Sequence, residues 1–233
     1  LGKLTQTYTT VAVAGAHGKS TTTALTALMM QEAKLDPTVI VGTKLKEFGN
    51  KNFRKGRGRF LVLEADEYKD AFLHYSPTVA LVTNIDYEHP DYFENIRAIK
   101  NTFLQFFSRV KQGGALVLNG DNDILVSLRS AIQKIAKKNH LRVFWYFRRQ
   151  TTQRKKIENV IKIPGAHNVS NALGALTCAV RVLHIPERVA LRAISRYRGS
   201  WRRMEYRGVY HARRLPYRAK VFDDYAHHPT EIK

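Results

Sequence analysis

Val11-Ala12-Val13-Ala14-Gly15-Ala16-His17-Gly18-Lys19-Ser20-Thr21-Thr22-Thr23 decides the fold. Small apolar residues end at a glycine, a short loop brings a second glycine before a lysine, and hydroxyl side chains lead into Ala24 to Ala33, which reads as a helix. The order is strand, phosphate loop, helix. Gly15 and Gly18 let backbone N–H groups turn toward an anion, and the helix opening near Lys19 points its free amides and positive dipole end at the same place. Ala16, His17 and Thr21 complete the cradle. Lys19 adds a point charge for the outer phosphates, and Ser20 offers a hydroxyl to magnesium. Val13 stands where the longer form of this loop has a glycine, so the loop is the shorter variant G-x-x-G-K-S. The ligand class is ATP or another nucleoside triphosphate.

Working outward, Thr38 to Val41 reads as a strand, and the polar, glycine-rich stretch Gly42 to Arg59 as a flexible loop near the ligand or a short hairpin. Phe60 to Leu63 is a buried-type strand that ends in Glu64-Ala65-Asp66-Glu67, and Thr78 to Thr83 is another that ends in Asn84-Ile85-Asp86. In open parallel sheets the ligand crevice lies outside the carboxyl ends of the strands, so these acidic ends converge on the phosphate loop and favour a metal site. Pro90 to Val110 is expected as a helix whose aromatic stripe is core. Ala115 to Leu118 and Val143 to Phe147 read as strands, Ile124 to Lys138 as the helix between them, and Arg148 to Glu158 as a loop or exposed hairpin turn. His167, Asn168 and Asn171 precede an apolar helix, Ala172 to Leu183; the two asparagines either cap its first turn or, with His167, hydrogen-bond a base or ribose. Pro186 opens a helix to Tyr197. Gly199-Ser200 reads as a hinge, Met204 to His211 and Ala219 to Phe222 as strands around a turn at Pro216, and Asp223 to Ile232 as the start of a helix.

The fold class is therefore α/β: a mostly parallel sheet flanked by helices, a mononucleotide-binding domain of the phosphate-loop type, with the beginning of a second Rossmann-like domain. The expected organisation is a linker over residues 1–8, a central ATP-binding domain over 9–198, and the start of a truncated further domain over 199–233. The chain begins without methionine and stops while opening a helix, so a piece of a longer protein is expected.

Composition bounds the function. With 233 residues and 44% hydrophobic content the chain can bury an ordinary core. The single cysteine, Cys178, rules out an internal disulfide and suits a reducing cytosol, so a cytoplasmic location is expected. No apolar run approaches the roughly 18 residues of a membrane span. The net charge is +20, from 39 Lys and Arg against 19 Asp and Glu. These basic residues are scattered, with no aromatic-basic module, which makes a solvated surface rather than a nucleic-acid interface the expectation.

Taken as a set, six motifs resemble the Mur ligase family, the ATP-dependent amide-forming enzymes of peptidoglycan precursor synthesis. They are Gly15 to Thr23, Glu64 to Glu67, Thr83-Asn84-Ile85 with His89, Pro164 to Asn168 with Asn171, Arg202-Arg203, and Asp223 to Glu231. The resemblance implies three domains: one holding a UDP-sugar, a central ATPase, and a third that closes on the nucleotide. The chain corresponds to the second and the opening of the third. Val143 to Ile163 is shorter than the family's usual stretch. The resemblance further implies an acyl-phosphate route with Lys19 on the outer phosphates, Ser20 and Glu64 on one magnesium, and His89 beside a second ion. It puts His167, Asn168 and Asn171 near adenine and ribose. Arg203 or Arg202 would reach the transferring phosphate, and Asp224 or Asp223 would contact nucleotide or amino acid. Imidazole is an unusual donor for so hard a cation as magnesium. The last motif points to the branch that joins L-alanine to UDP-N-acetylmuramate. The alternatives are the branch that attaches a preformed tripeptide to the same sugar, and a non-catalytic basic nucleotide- or nucleic-acid-binding remnant.

Overall fold

The computed structural model describes residues 1–203, 205–211 and 218–226. In chain order its elements are α1 (Gly2–Thr7), β1 (Thr9–Ala14), α2 (Lys19–Glu32), β2 (Thr38–Leu45), β3 (Lys51–Arg54), β4 (Phe60–Glu64), β5 (Val79–Val82), α3 (Ile96–Ser108), β6 (Ala115–Asn119), α4 (Asp123–Ser127), α5 (Arg129–Lys138), β7 (Arg142–Tyr146), α6 (Thr151–Glu158), α7 (Ala166–Thr177), α8 (Glu187–Arg196), β8 (Glu205–His211) and β9 (Arg218–Asp223). Seven strands form one sheet in the order β3-β2-β4-β1-β5-β6-β7. All pair in parallel except β3, which runs antiparallel to β2. A second, two-stranded antiparallel sheet pairs β8 with β9.

The central strands are runs of Val, Leu and Ala because both of their faces are covered, and the period-2 alternation sorts their side chains between two cores. Val11 and Val13 of β1 pack with Leu25, Met29 and Met30 of α2 and Leu173 and Leu176 of α7. Ala12 and Ala14 face the other way, with Phe103, Phe106 and Phe107 of α3 and Ile132 of α5. The small alanines of β1 leave room for this aromatic stripe, which is core as its spacing predicts. Each such fully buried side chain contributes roughly 1.5–3 kcal/mol.

Several local expectations change. Residues 1–8 hold a helix rather than a plain linker; Thr5 is buried, and its hydroxyl accepts from the Ser76 amide at 2.9 Å. Of the two readings of Gly42 to Arg59 the hairpin is the one found, since β2 runs on to Leu45 and β3 returns beside it. The helix expected from Pro90 starts only at Ile96. His89 takes a left-handed conformation (φ 56°), the chain turns, and Asn95 then caps α3 by accepting from the Arg97 and Ala98 amides. The helix expected over Ile124 to Lys138 breaks at Leu128 into α4 and α5. Arg148 to Glu158, expected as loop or hairpin turn, contains α6; a run of cations hides it in the sequence, and Ile157 alone of its residues is buried. The helix expected from Ala172 starts six residues earlier, at Ala166, and continues as a π turn over Cys178–Val182. Met204, the turn at Pro216 and the end of the last motif, residues 227–233, lie outside the described residues.

The 3₁₀ segment Tyr68–His74, which follows the acidic end of β4, is pinned by Phe72. Its ring stacks on Phe106 at 4.4 Å between centroids and meets Phe103 edge-on at 5.2 Å. Phe72→Ala is therefore expected to cost about 3–5 kcal/mol in urea unfolding. A loss below about 1 kcal/mol would show that the segment is held in some other way.

Candidate functional site

β1 stops at Ala14 and the chain enters the loop through Gly15 (φ 133°) and leaves it through Gly18 (φ 80°), both in the region open to glycine. The loop is clamped by the end of the neighbouring strand. Asn84 accepts from the His17 amide at 2.8 Å, and its own amide donates to the His17 carbonyl at 2.9 Å. Thr83 Oγ1 donates to the same carbonyl at 2.6 Å. His17 Nε2 lies 3.1 Å from Asp86. Gly18 is the N-cap of α2 and supplies no side chain to the first-turn amides, which leaves those donors without a side-chain cap at the ligand crevice.

Three acidic strand-end residues converge on this corner. Ser20 Oγ donates to Glu64 at 3.0 Å, and Glu64 also accepts from the Gly42 amide at 2.6 Å. Lys19 Nζ donates to both oxygens of Glu67, at 3.1 and 3.3 Å, with Asp66 at 3.7 Å. His89 Nε2 lies 4.0 Å from Glu67, and its ring packs 4.7 Å from Tyr68. Asp66, Glu67 and His89 each present a donor atom within 4.8 Å of the others. Glu67 is only 2% exposed. Burial pushes its carboxyl up to about 7, with the neighbouring Asp66 adding to the rise and Lys19 opposing it. Burial also opposes the charge of Lys19, but the carboxylates of Glu67, Asp66 and Glu88 together outweigh that and hold the ammonium above the ordinary lysine value.

The donor set fits a hard cation. Ser20 and Glu64 supply oxygen, and Glu88 Oε2 is buried with no hydrogen-bond partner among the described residues.

α7 delivers its asparagines to the loop. Asn168 and Asn171 are buried, Asn168 donates to the Pro164 carbonyl at 2.6 Å, and a Cβ on Gly18 would collide with Asn171 Oδ1. His167 does not join them; it is exposed and lies over Gly165. Arg203 and Asp224 sit with the second sheet. The Arg203 guanidinium lies 5.7 Å from the Tyr225 ring, and Asp224 accepts from the Ala226 amide at 2.7 Å. Arg202 and Asp223 face each other at 3.4 Å, and Asp223 also takes Arg207 at 2.9 Å. This segment is tied to the large sheet beside Gly42: Thr43 Oγ1 donates to the Trp201 carbonyl at 2.8 Å and the Trp201 amide to the Lys44 carbonyl at 3.0 Å.

Sequence reasoning alone did not assign Asp66 and Glu67 as partners of Lys19, nor Thr83 and Asn84 as the clamp on the loop. Their signal was position: each pair lies within three residues of the end of a strand that flanks β1.

The Mur ligase middle domain family matches residues 13–179, more than half of the chain. The chain belongs to the Mur ligase family. Curated relatives in that family include the UDP-N-acetylmuramate–L-alanine ligases of Dictyoglomus turgidum, 35% identical over 100% of this chain and 52% of the relative, and of Aquifex aeolicus, 37% identical over 96% and 50%. This Mur ligase chain thus spans about half the length of the curated relatives it matches. Among solved structures, UDP-N-acetylmuramate-alanine ligase MurC from Thermotoga maritima superposes with a TM-score of 0.73 at 23% identity, over 99% of this chain and 53% of that one. A folylpolyglutamate synthase from Mycobacterium tuberculosis complexed with ADP gives 0.70 at 13% identity, over 99% and 65%. At such identities the likeness establishes the Mur ligase fold alone. Among the described residues, no helix is long and apolar enough to cross a membrane.

The raised Glu67 carboxyl has a consequence for stability. Its folded value lies above the ordinary 4.5, so the contribution of the protonated form is fully present below 4.5 and is lost as pH rises through about 7. Glu67→Gln cannot ionise. Its stability relative to the parent is expected to rise between pH 5 and pH 8, read from urea midpoints; a constant difference would place the Glu67 carboxyl in its ordinary range.

Proposed function

We propose that the chain is the nucleotide-binding part of an ATP-dependent carboxylate-amine ligase that joins L-alanine to UDP-N-acetylmuramate in peptidoglycan precursor synthesis. One observation carries the chemical half of this reading: Lys19, Ser20, Glu64, Glu67 and His89 meet at the carboxyl ends of the adjacent parallel strands β4, β1 and β5, at the first turn of a helix that has no side-chain cap. The substrate half rests on the names of the relatives at 35–37% identity.

In this reading the γ-phosphoryl group of ATP passes to an oxygen of the sugar's carboxylate, giving ADP and an acyl phosphate. The amine nitrogen of alanine then attacks the acyl carbon, phosphate departs with the bonding electron pair, and the nitrogen loses a proton to leave the amide. The first-turn amides of α2 from Lys19 to Thr21 hold the outer phosphates, and Lys19 leaves Glu67 to neutralise the oxygens between which charge is redistributed. Magnesium, when bound, neutralises phosphate charge and would be held by Ser20 and Glu64, with His89 serving a second ion. Asn168 and Asn171 are assigned to the nucleoside end, while His167, exposed over Gly165, is not grouped with them. From the segment beside the second sheet, Arg203 is assigned to the transferring phosphate and Asp224 to nucleotide or amino acid, as the family resemblance implies, with Arg202 and Asp223 as the other member of each pair. Residues 199–233 are read as the opening of the third domain, 9–198 as the central one, and the single cysteine, Cys178, suits a cytoplasmic location.

ATP binding to this chain, followed calorimetrically, is expected to require magnesium and to vanish in Lys19→Ala; unchanged affinity in that variant would overturn the phosphate-loop assignment. Glu64→Gln should raise the magnesium requirement by at least about tenfold. In the full-length protein, phosphate release with ATP and UDP-N-acetylmuramate should depend on L-alanine. Release with the tripeptide instead assigns the recycling branch, and release with neither rejects both.

A further inference from the structure

Away from the phosphate loop, a cavity of about 230 Å³ lies where residues 198–205 cross the β2–β3 hairpin. Its walls carry Lys44, Lys46 and Arg198, together with Asn50, Trp201 and Glu205. We infer that this cavity is a phosphate-group site, separate from the triphosphate loop, whose occupant bridges the hairpin to the segment that leads into the second sheet.

The argument is one of charge and construction. Three cations line the cavity against one carboxylate, and that carboxylate is already engaged: Glu205 Oε2 accepts from the Arg202 amide at 3.1 Å and lies 3.3 Å from Arg207. Lys46 and Arg198 have no ion pair among the described residues, and Lys44 Nζ instead lies over the Trp201 ring at 5.2 Å. The frame is fixed independently of any ligand. Trp201 is bonded to Thr43 and Lys44 through both its backbone groups, Ser200 and Tyr197 share a 2.5 Å hydroxyl contact, and both Tyr197 and Ser200 are buried. The three cationic side chains are exposed, and a recess lined by one sign of charge raises the local concentration of anions. The guanidinium fork of Arg198, two ammonium groups and the Asn50 amide suit a tetrahedral dianion better than a single carboxylate. The volume falls below that of ordinary small-molecule pockets and suits a phosphate group, free or at the end of a larger ligand. The lining joins Lys44, two residues beyond the Gly42 amide that holds Glu64, to the Arg198–Trp201 segment that leads into Arg203. An anion held there would fix where that arginine stands relative to the loop.

The probe is inorganic phosphate, followed by ³¹P line broadening on this chain. Lys19→Ala silences the triphosphate loop, and binding is expected to persist in that variant. Adding Arg198→Ala or Lys46→Gln to it should weaken the remaining binding by at least about tenfold, with folding of each variant checked by thermal unfolding. Competition by UDP would assign the site to the phosphate of a larger ligand, and its failure to compete would assign it to the free ion; both keep the site. Loss of all binding in Lys19→Ala, or full retention when Arg198 and Lys46 are both replaced, would overturn the inference. Neither result alters the reading of the triphosphate loop, which Lys19→Ala tests with ATP.

Discussion

The contact between Lys19 and Glu67 is the point on which the site turns. Both groups are drawn out of water, Lys19 by the loop that opens α2 and Glu67 by the turn that closes β4, so neither can be left alone without a large desolvation penalty. The pair resolves this unequally. The ammonium remains charged because three carboxylates face it, while the buried carboxyl drifts up to about 7 because one lysine does not offset the loss of its hydration and Asp66 stands next to it. An ion pair of that kind contributes little net stability. It keeps a cation in place beside amides that have no partner of their own, and in the proposed ligase a triphosphate supplies the stronger counter-charge.

Everything behind that contact is arranged to keep it in register. β1 lies between β4 and β5, so the residues just past the ends of those two strands are the ones that reach the loop: Glu64 to Glu67 from one side, Thr83 to Asp86 from the other. Phe72, wedged against the α3 aromatics, holds the turn that follows Glu67. Asn84 binds the His17 backbone through both its donor and its acceptor, so the loop conformation is set by a side chain rather than by glycine alone. α7 closes the third side, with Asn171 packed so near Gly18 that no larger residue fits.

Much of this was legible in the sequence, and the reasons are specific. The strands are apolar on both faces, so Phe60 to Leu63 and Thr78 to Thr83 stand out as runs; the loop is contiguous, so its chemistry is spelled in order. What stayed hidden depends on contacts distant in the chain. No local signal says that Lys19 will meet Glu67 rather than solvent. Cation-rich α6 buries only Ile157, so periodicity had nothing to register. The start of α3 was misread because Pro90 is a plausible first helical residue, whereas the left-handed His89 sends the chain into a turn and Asn95 makes the cap.

The two sheets meet through a short run of backbone. Trp201 bonds the large sheet through both its carbonyl and its amide, and Arg202, which follows it, takes a left-handed conformation (φ 52°) while pairing with Asp223 at the end of β9. A non-glycine residue in that region carries strain of order 1–3 kcal/mol, tolerated because neighbours on both sides fix it. The geometry places Arg203 immediately after this fixed joint, so the position of its backbone follows from the contacts of Trp201 and Arg202. In the proposed ligase, a side chain that reaches the transferring phosphate once substrates are assembled would be well mounted in that way. The same joint forms one wall of the cationic cavity, which is why an anion bound there would act on the position of Arg203 and not on the phosphate loop itself.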